Sequence, residues 1–398
     1  MSTKVAITGM GIISSIGTTV EENYAALIQS KPGISIISHL ETRHKNNIMV
    51  GEIELTNDEL VKQLNLPEIN CYSRTAMLGV LAAKQAVQNA DISDITDCKT
   101  GLVSATSVGG MDMTEKYYYE YVKDDTHHRY IAGHHGGDAT QKIAQQLGIT
   151  DFVTTISTAC SSSANAIMLG ARLIKAGKLD RVVVGGADCL SKFTINGFKT
   201  LMILSDTYCM PFDKNRKGLN LGEAAAFLVL ESDKIVKQQN KKVLAYVSGY
   251  GNANDAFHQT ASSENGDGAT LAMQKAFKVA QLLPEQIDYI NAHGTATPNN
   301  DLSESRAIQR VFGKEIPDLS STKAFTGHTL AAAAAIEAVY SVLALQHNKV
   351  FPNLNFKTAI EEVGIVPITS VKEKQIQHVL SNSFGFGGNC STLIFSKN

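Results

Sequence analysis

A short strand closing on Gly-x-Gly occurs twice in this 398-residue chain, as Val5-Ala-Ile-Thr-Gly-Met-Gly11 and as Ala245-Tyr-Val-Ser-Gly-Tyr-Gly251. The second copy follows a polar, Lys- and Gln-rich stretch from Lys234 to Lys242, which reads as the link between two similar halves, 1–240 and 241–398. The match gains weight because each half also alternates strand-like and helix-like segments. In the first half, 101–107, 152–157 and 181–188 read as strands, and a small-residue helix over 161–176 is closed by Gly177. In the second, 287–291 and 379–383 read as strands, with helices over 301–312 and 330–345. This alternation predicts an α/β fold with largely parallel sheets covered on both faces. Ligands in such folds bind beyond the carboxyl ends of strands.

The hydrophobic content, 43%, is enough for two cores or one large fused one, and the 19% of charged residues is low for a disordered chain. The net charge of −2 comes without a polybasic stripe, so nucleic-acid binding has no electrostatic support. The opening residues lack a signal-peptide layout, because Gly9 and Gly11 interrupt the apolar run. The longest apolar stretch, 330–345, contains Glu337 and is short for a bilayer, so it is expected to be a buried helix and not a membrane span. Six cysteines without framework spacing predict reduced thiols and a cytoplasmic setting.

Cys160 stands where an apolar strand runs into the small-residue helix, in Thr158-Ala-Cys-Ser-Ser162. A helix N-terminus offers unpaired N–H groups and partial positive charge, which favour a thiolate and on their own would draw the thiol toward neutrality. The alternative is an inert buried thiol, the reading given to Cys71, Cys98, Cys189, Cys209 and Cys390. His293, in Asn291-Ala-His-Gly-Thr-Ala-Thr-Pro298, lies just past a strand; His328, in Ser321-Thr-Lys-Ala-Phe-Thr-Gly-His328, opens the Ala-rich helix. A histidine at a helix N-terminus is disfavoured as a cation, and a neutral imidazole can donate one N–H to a developing oxyanion. Either histidine alone is as readily a turn or capping residue. The loop Gly385-Phe-Gly-Gly388 lacks the lysine of a phosphate cradle and reads as a tight turn presenting N–H groups, with Phe386 as a movable plug.

Together these segments resemble the elongating β-ketoacyl-acyl-carrier-protein synthases of type II fatty-acid and polyketide synthesis. The motifs T-A-C-[ST]-S, N-A-H-G-T-x-T-P, S-T-K-x-x-T-G-H and G-F-G-G occur in the family's order, and the likeness spans Val5 to Phe395. It implies a thiolase-like fold of two α/β halves in a five-layer αβαβα arrangement, dimerised. It implies that Cys160 carries the acyl primer, that His293 and His328 stabilise the enolate left by malonyl decarboxylation, and that Lys323 is an orienting charge paired with Glu337. The N–H groups of Cys160 and Phe386 would form an oxyanion hole, Gly385, Gly387 and Gly388 would support the Phe386 gate, and the loop from Asp255 and His258 to Gly266 would form a second gate. No metal or organic cofactor is implied. Starter-unit synthases on the same fold usually replace one histidine with Asn, and thiolases add a second active-site cysteine. The chain also departs from the pattern: Ser163 stands where a Gly is common, and the loop continues Asn389-Cys390 where Thr-Asn is frequent. Leu219-Asn-Leu-Gly-Glu-Ala224 is likewise unusual. These variants look closer to synthases of aryl-polyene, flexirubin or dialkylresorcinol pathways.

The implied partner is an acidic acyl carrier protein, for which Lys192, Lys199, Lys214, Arg216 and Lys217 are docking candidates, unless they are simply a solvated surface. The second subunit is either an identical chain or a chain-length-factor-like one, and a non-elongating or decarboxylating subunit of such a heterodimer is the alternative function. Val108 and Met111 either line the acyl pocket or pack near the subunit interface. His127, His128, His134 and His135 lack the spacing of a metal site.

Overall fold

The computed structural model describes residues 4–397. Ten strands form one continuous sheet. In chain order they are β1 (Val5–Ser14), β2 (Thr100–Ala105), β3 (Phe152–Ile156), β4 (Arg181–Asp188), β5 (Ala224–Ser232), β6 (Ala245–Asn254), β7 (Tyr289–Asn291), β8 (Asp318–Ser320), β9 (His378–Gly385) and β10 (Asn389–Ser396). Across the sheet the first five run 1-5-4-2-3, and the last five repeat that order as 6-10-9-7-8. The halves meet where Ala6 and Ile7 of β1 pair with Tyr246 and Ala245 of β6. The repeated Gly-x-Gly thus marks the first strand of each half.

Six helices cover these strands: α1 (Arg74–Asn89), α2 (Gly136–Leu147), α3 (Ser162–Lys175), α4 (Asp267–Ala280), α5 (Pro298–Phe312) and α6 (Ala333–His347). Leu78 and Ala82 of α1 and Ile143 of α2 pack on Leu102, Val183 and Phe227 of the first half. Met273 of α4 and Ile308 of α5 pack on Ile290, Leu380 and Ile394 of the second. Between the halves, Ile167 and Met168 of α3 and Val339 and Leu343 of α6 share one core with Val184 and Leu228 on one side and Val379 and Leu393 on the other. Five layers result, in the order αβαβα. The apolar segment ending at Leu345 lies in the innermost layer, which accounts for its composition without a bilayer.

The expectation of largely parallel sheets is corrected. Four of the strand pairings are parallel and five antiparallel. Strand β10 follows β9 through a turn of only three residues, Phe386–Gly388, which is too short for a helical crossover and forces the chain to return antiparallel. Strand β5 holds the equivalent place in the first half. Parallel pairing survives in the outer strands, and the carboxyl ends of β3, β7, β8 and β9 carry the motifs singled out above.

Both Gly-x-Gly pairs serve one purpose. A Cβ at Gly9 or Gly11 would sit 2.3 or 2.2 Å from the carbonyl oxygens of Ala86 and Ala82 in α1. At Gly249 or Gly251 it would sit 2.5 or 2.0 Å from those of Ala276 and Ala272 in α4. Each outer helix therefore rides directly on strand backbone. Gly251→Ala and Gly11→Ala are each expected to destabilise the fold by about 1–3 kcal/mol through overpacking. Chemical denaturation measures this, and unchanged midpoints would contradict the close-packing role.

Candidate active site

The two central helices point their N-termini at the same spot. Cys160 precedes α3 and His328 precedes α6, with a short 3₁₀ turn, Leu330–Ala332, between His328 and its helix. Ala159 takes a positive φ of 52°, turning the chain sharply between β3 and the helix so that the thiol faces inward. Ser163 Oγ accepts a hydrogen bond from the Ala335 N–H (2.9 Å), tying the first turns of α3 and α6 together. A glycine there could not make that link, which gives this departure from the family pattern a structural reason.

His328 Nε2 lies 3.0 Å from Cys160 Sγ. The Leu330 N–H donates to His328 Nδ1 (3.1 Å), so in the neutral ring the proton resides on Nε2 and points at the sulfur. The rings of His293 and His328 stand perpendicular, 5.5 Å apart. The sulfur and one nitrogen from each ring all lie within 4.8 Å of one another, which is room for a thioester carbonyl. The backbone N–H groups of Phe386 and Cys160 also address the sulfur. Lys323 Nζ forms an ion pair with Glu337 Oε1, both side chains being buried beside the histidines.

Burial holds both imidazoles well below the usual range, and the Lys323 charge lowers them further. Both rings are therefore neutral, as the sequence suggests, although the main cause is desolvation. For the thiol the expectation is corrected. Burial pushes Cys160 up to about 11, against the pull of the Lys323 charge and of the N–H groups of Phe386 and Cys160. A helix terminus contributes about one unit, and desolvation of a fully buried thiol exceeds that. The resting group is a thiol.

Two buried carboxyls that the motifs did not assign hold the site in shape. Glu304, on α5, accepts from the N–H groups of His293 (2.9 Å) and Gly294 (2.8 Å), and burial raises it to about 7. Asp188, at the end of β4, accepts from the N–H groups of Ser107 (3.0 Å), Val108 (3.2 Å) and Ala331 (2.9 Å). A charge ending an otherwise apolar strand was the available signal for Asp188. Asn220 accepts from the Cys209 N–H (2.7 Å) through its side chain, and its backbone carbonyl accepts from the His328 N–H (2.7 Å).

A cavity of about 380 Å³ leads to the thiol, lined by His293, His328, Thr295, Phe198, Asp255 and Phe386 among others. Gly385, Gly388 and Cys390 reach it, and Cys390 is thus a second thiol on its wall. The Phe386 ring stacks on Phe198 at 5.8 Å. The Gly387 N–H donates to Gln259 O (2.7 Å) and the Asp255 N–H to Gly388 O (2.8 Å), so the two predicted loops touch. Asp255 accepts from the Gly268 N–H (2.7 Å). His258 sits outside the cavity lining and accepts from the Thr260 and Ala261 N–H groups, each at 3.2 Å. Val108 and Met111 also lie outside this lining, packed with Phe198, Leu190 and Ile195.

Of the basic candidates, Lys214 is paired with Glu361. Arg216 is corrected: its side chain is 7% exposed, 3.9 Å from Asp301, and donates to the carbonyls of Asp213 and Pro298, so it does not belong to an exposed patch. Lys199 Nζ lies 3.2 Å from His44 Nδ1. The clustered histidines go to separate partners, His134 to Thr114 Oγ1 and His127 to the ring of Tyr117.

Sequence models of the beta-ketoacyl synthase N-terminal domain and C-terminal domain match residues 2–234 and 244–357. The chain belongs to the beta-ketoacyl synthase family. The 3-oxoacyl-[acyl-carrier-protein] synthase 2 of Staphylococcus aureus strain N315 is 32% identical to this synthase over 410 residues, covering 99% of this chain and 98% of its own. The structure described as the ishigamide ketosynthase/chain length factor superposes with a TM-score of 0.94 at 29% identity, over all of both chains. The ketosynthase ApeO of Xenorhabdus doucetiae, solved in complex with its chain length factor ApeC, gives a TM-score of 0.86 at 31% identity, over 100% of this chain and 98% of that one.

Because Cys160 is a thiol pushed up to about 11, its alkylation by iodoacetamide is expected to keep accelerating above pH 9, as the thiolate fraction grows. Lys323→Met removes a charge that lowers the thiol, so the profile should move to higher pH. A plateau near pH 7 in the parent enzyme would overturn this electrostatic account.

Proposed function

We propose that this chain is a 3-oxoacyl-[acyl-carrier-protein] synthase that joins an acyl group on Cys160 to malonyl-carrier protein with loss of carbon dioxide. The observation that carries this is the meeting of one thiol from the first half with two neutral imidazoles from the second. In the first step the sulfur attacks the thioester carbonyl of the acyl-carrier protein. The oxyanion is received by the N–H groups of Cys160 and Phe386. Collapse of the adduct leaves the acyl group on sulfur, and the thiol proton goes to the departing pantetheine thiolate.

Malonyl thioester then takes the cavity. Its carbonyl oxygen lies between His293 and His328, whose N–H groups stabilise the enolate as the carboxylate carbon leaves as carbon dioxide. The enolate carbon attacks the acyl-Cys160 carbonyl, the same oxyanion hole serves again, and Cys160 departs as a thiolate that takes a proton from solvent. Neutral rings can fill this role, because each still carries one N–H to donate. Lys323 orients the site through Glu337 and takes no part as a nucleophile.

Phe386, between Gly385 and the Gly387–Gly388 pair, is the gate, and its swing off Phe198 opens the region of Val108 and Met111 to the acyl chain. Asp255 and the loop bearing His258 move with it. The N-terminal unit is assigned to residues 1–240 and the C-terminal unit to 241–398. An acyl carrier protein docks at the cavity mouth, and the functional particle is a pair of subunits, either two identical chains or, as the solved ketosynthase pairs with chain length factors support, a heterodimer. The intact Cys160 supports an elongating enzyme over a decarboxylating subunit. The reaction belongs to the cytoplasm, in fatty-acid or polyene-type biosynthesis.

Intact-protein mass spectrometry after incubation with acyl-carrier protein should find the acyl group on Cys160 and none on Cys160→Ala. That variant should still decarboxylate malonyl-carrier protein. His293→Ala and His328→Ala should each lose decarboxylation by about 10²–10³-fold, the usual cost of one oxyanion donor. Condensation by Cys160→Ala would falsify the assignment.

A further inference from the structure

The proposed oxyanion hole draws its two donors from different parts of the chain, the turn before α3 and the hairpin between β9 and β10. Their separation is therefore not fixed by covalent geometry. At the base of that hairpin, Asn389 faces Gly385 across the ladder. Its side-chain carbonyl accepts from Ser161 Oγ (2.7 Å), from Asn165 Nδ2 (2.9 Å) and from Asn252 Nδ2 (2.9 Å). Ser161 is the residue after the nucleophile, Asn165 lies on α3, and Asn252 lies on β6.

The same asparagines bond one another. Asn252 Nδ2 donates to Asn165 Oδ1 (2.9 Å), and Asn165 Nδ2 donates to Thr158 Oγ1 (2.9 Å). Both protons of each donating amide are thus committed. Gly385 shows how closely the hairpin is held: a Cβ there would lie 2.7 Å from Thr158 O and 3.2 Å from the Cys160 nitrogen. Beyond the clamp, Gly387 and Gly388 turn the hairpin tip with positive φ values of 80° and 79°.

We propose that Asn389 is a positioning residue for the oxyanion hole: its carbonyl oxygen locks the gate hairpin to the nucleophile turn and so sets the spacing of the Cys160 and Phe386 N–H groups. This rests on the oxyanion-hole role assigned above. A misplacement of about 1 Å at a reacting centre costs on the order of 10²-fold.

The test separates steps that use the hole from steps that do not. In Asn389→Ala, single-turnover acylation of Cys160 by acyl-carrier protein should fall by about 10–10²-fold. Decarboxylation of malonyl-carrier protein, which uses the histidines, should stay at the parental rate. Asn389→Asp keeps the acceptor oxygen and should restore acylation. Should Asn389→Ala not fold, Asn252→Ala removes one of the donors to Asn389 and should give a smaller loss confined to acylation. Acylation at the parental rate in these variants, or acylation and decarboxylation falling together, overturns the role of Asn389 alone. A parent enzyme that never acylates Cys160 overturns both this role and the assignment of function.

Discussion

One buried ion pair acts on every reacting side chain of the catalytic chamber. Lys323 and Glu337 face each other inside the protein, and the lysine charge acts on Cys160, His293 and His328 alike. In a low-dielectric interior such a charge reaches further than at a surface. It adds to the burial that keeps both rings neutral, and it offsets part of the desolvation of the thiol. Glu337 makes the lysine tolerable, since an uncompensated buried charge costs about 3–5 kcal/mol. The pair is a structural necessity and an electrostatic control at once.

Around that pair the fold is a device for bringing strand ends together. Each half repeats the strand order 1-5-4-2-3, and the matching helices α3 and α6 lie side by side in the middle layer. Their N-termini bring Cys160 and His328 within hydrogen-bonding distance although 168 positions separate them. Glu304 and Asp188 then fix the turns on which the side chains depend, by accepting backbone N–H groups that burial would otherwise leave unpaired.

Much of this was legible in the sequence because its signals are local. The β4 boundaries follow from the run Arg181 to Asp188, and α3 from small residues ending at Gly177. Strands β5 and β10 were not read, since continuous apolar runs such as 224–232 have no period to separate strand from helix. The mixed direction of the sheet escaped for the same reason: it depends on a hairpin whose second strand was not recognised. Within the site, Cys160, the histidines and the lysine were legible through motifs shared with a known family, since each alone reads as readily as a packing or turn residue. The thiol's raised pKa, the burial of Arg216 and the convergence of Asn165, Asn252 and Asn389 depend on the tertiary fold, which no window of residues contains.

The division of the chamber between two repeats also orders events in time. A polypeptide whose first five strands alone have formed holds a sulfur with neither ring beside it, and one whose last five alone have formed holds two rings with nothing to acylate. On the reading proposed above, neither fragment could join an acyl group to a malonyl unit. Competence arises only when the two inner helices dock, so that completion of the fold itself acts as the licence for turnover.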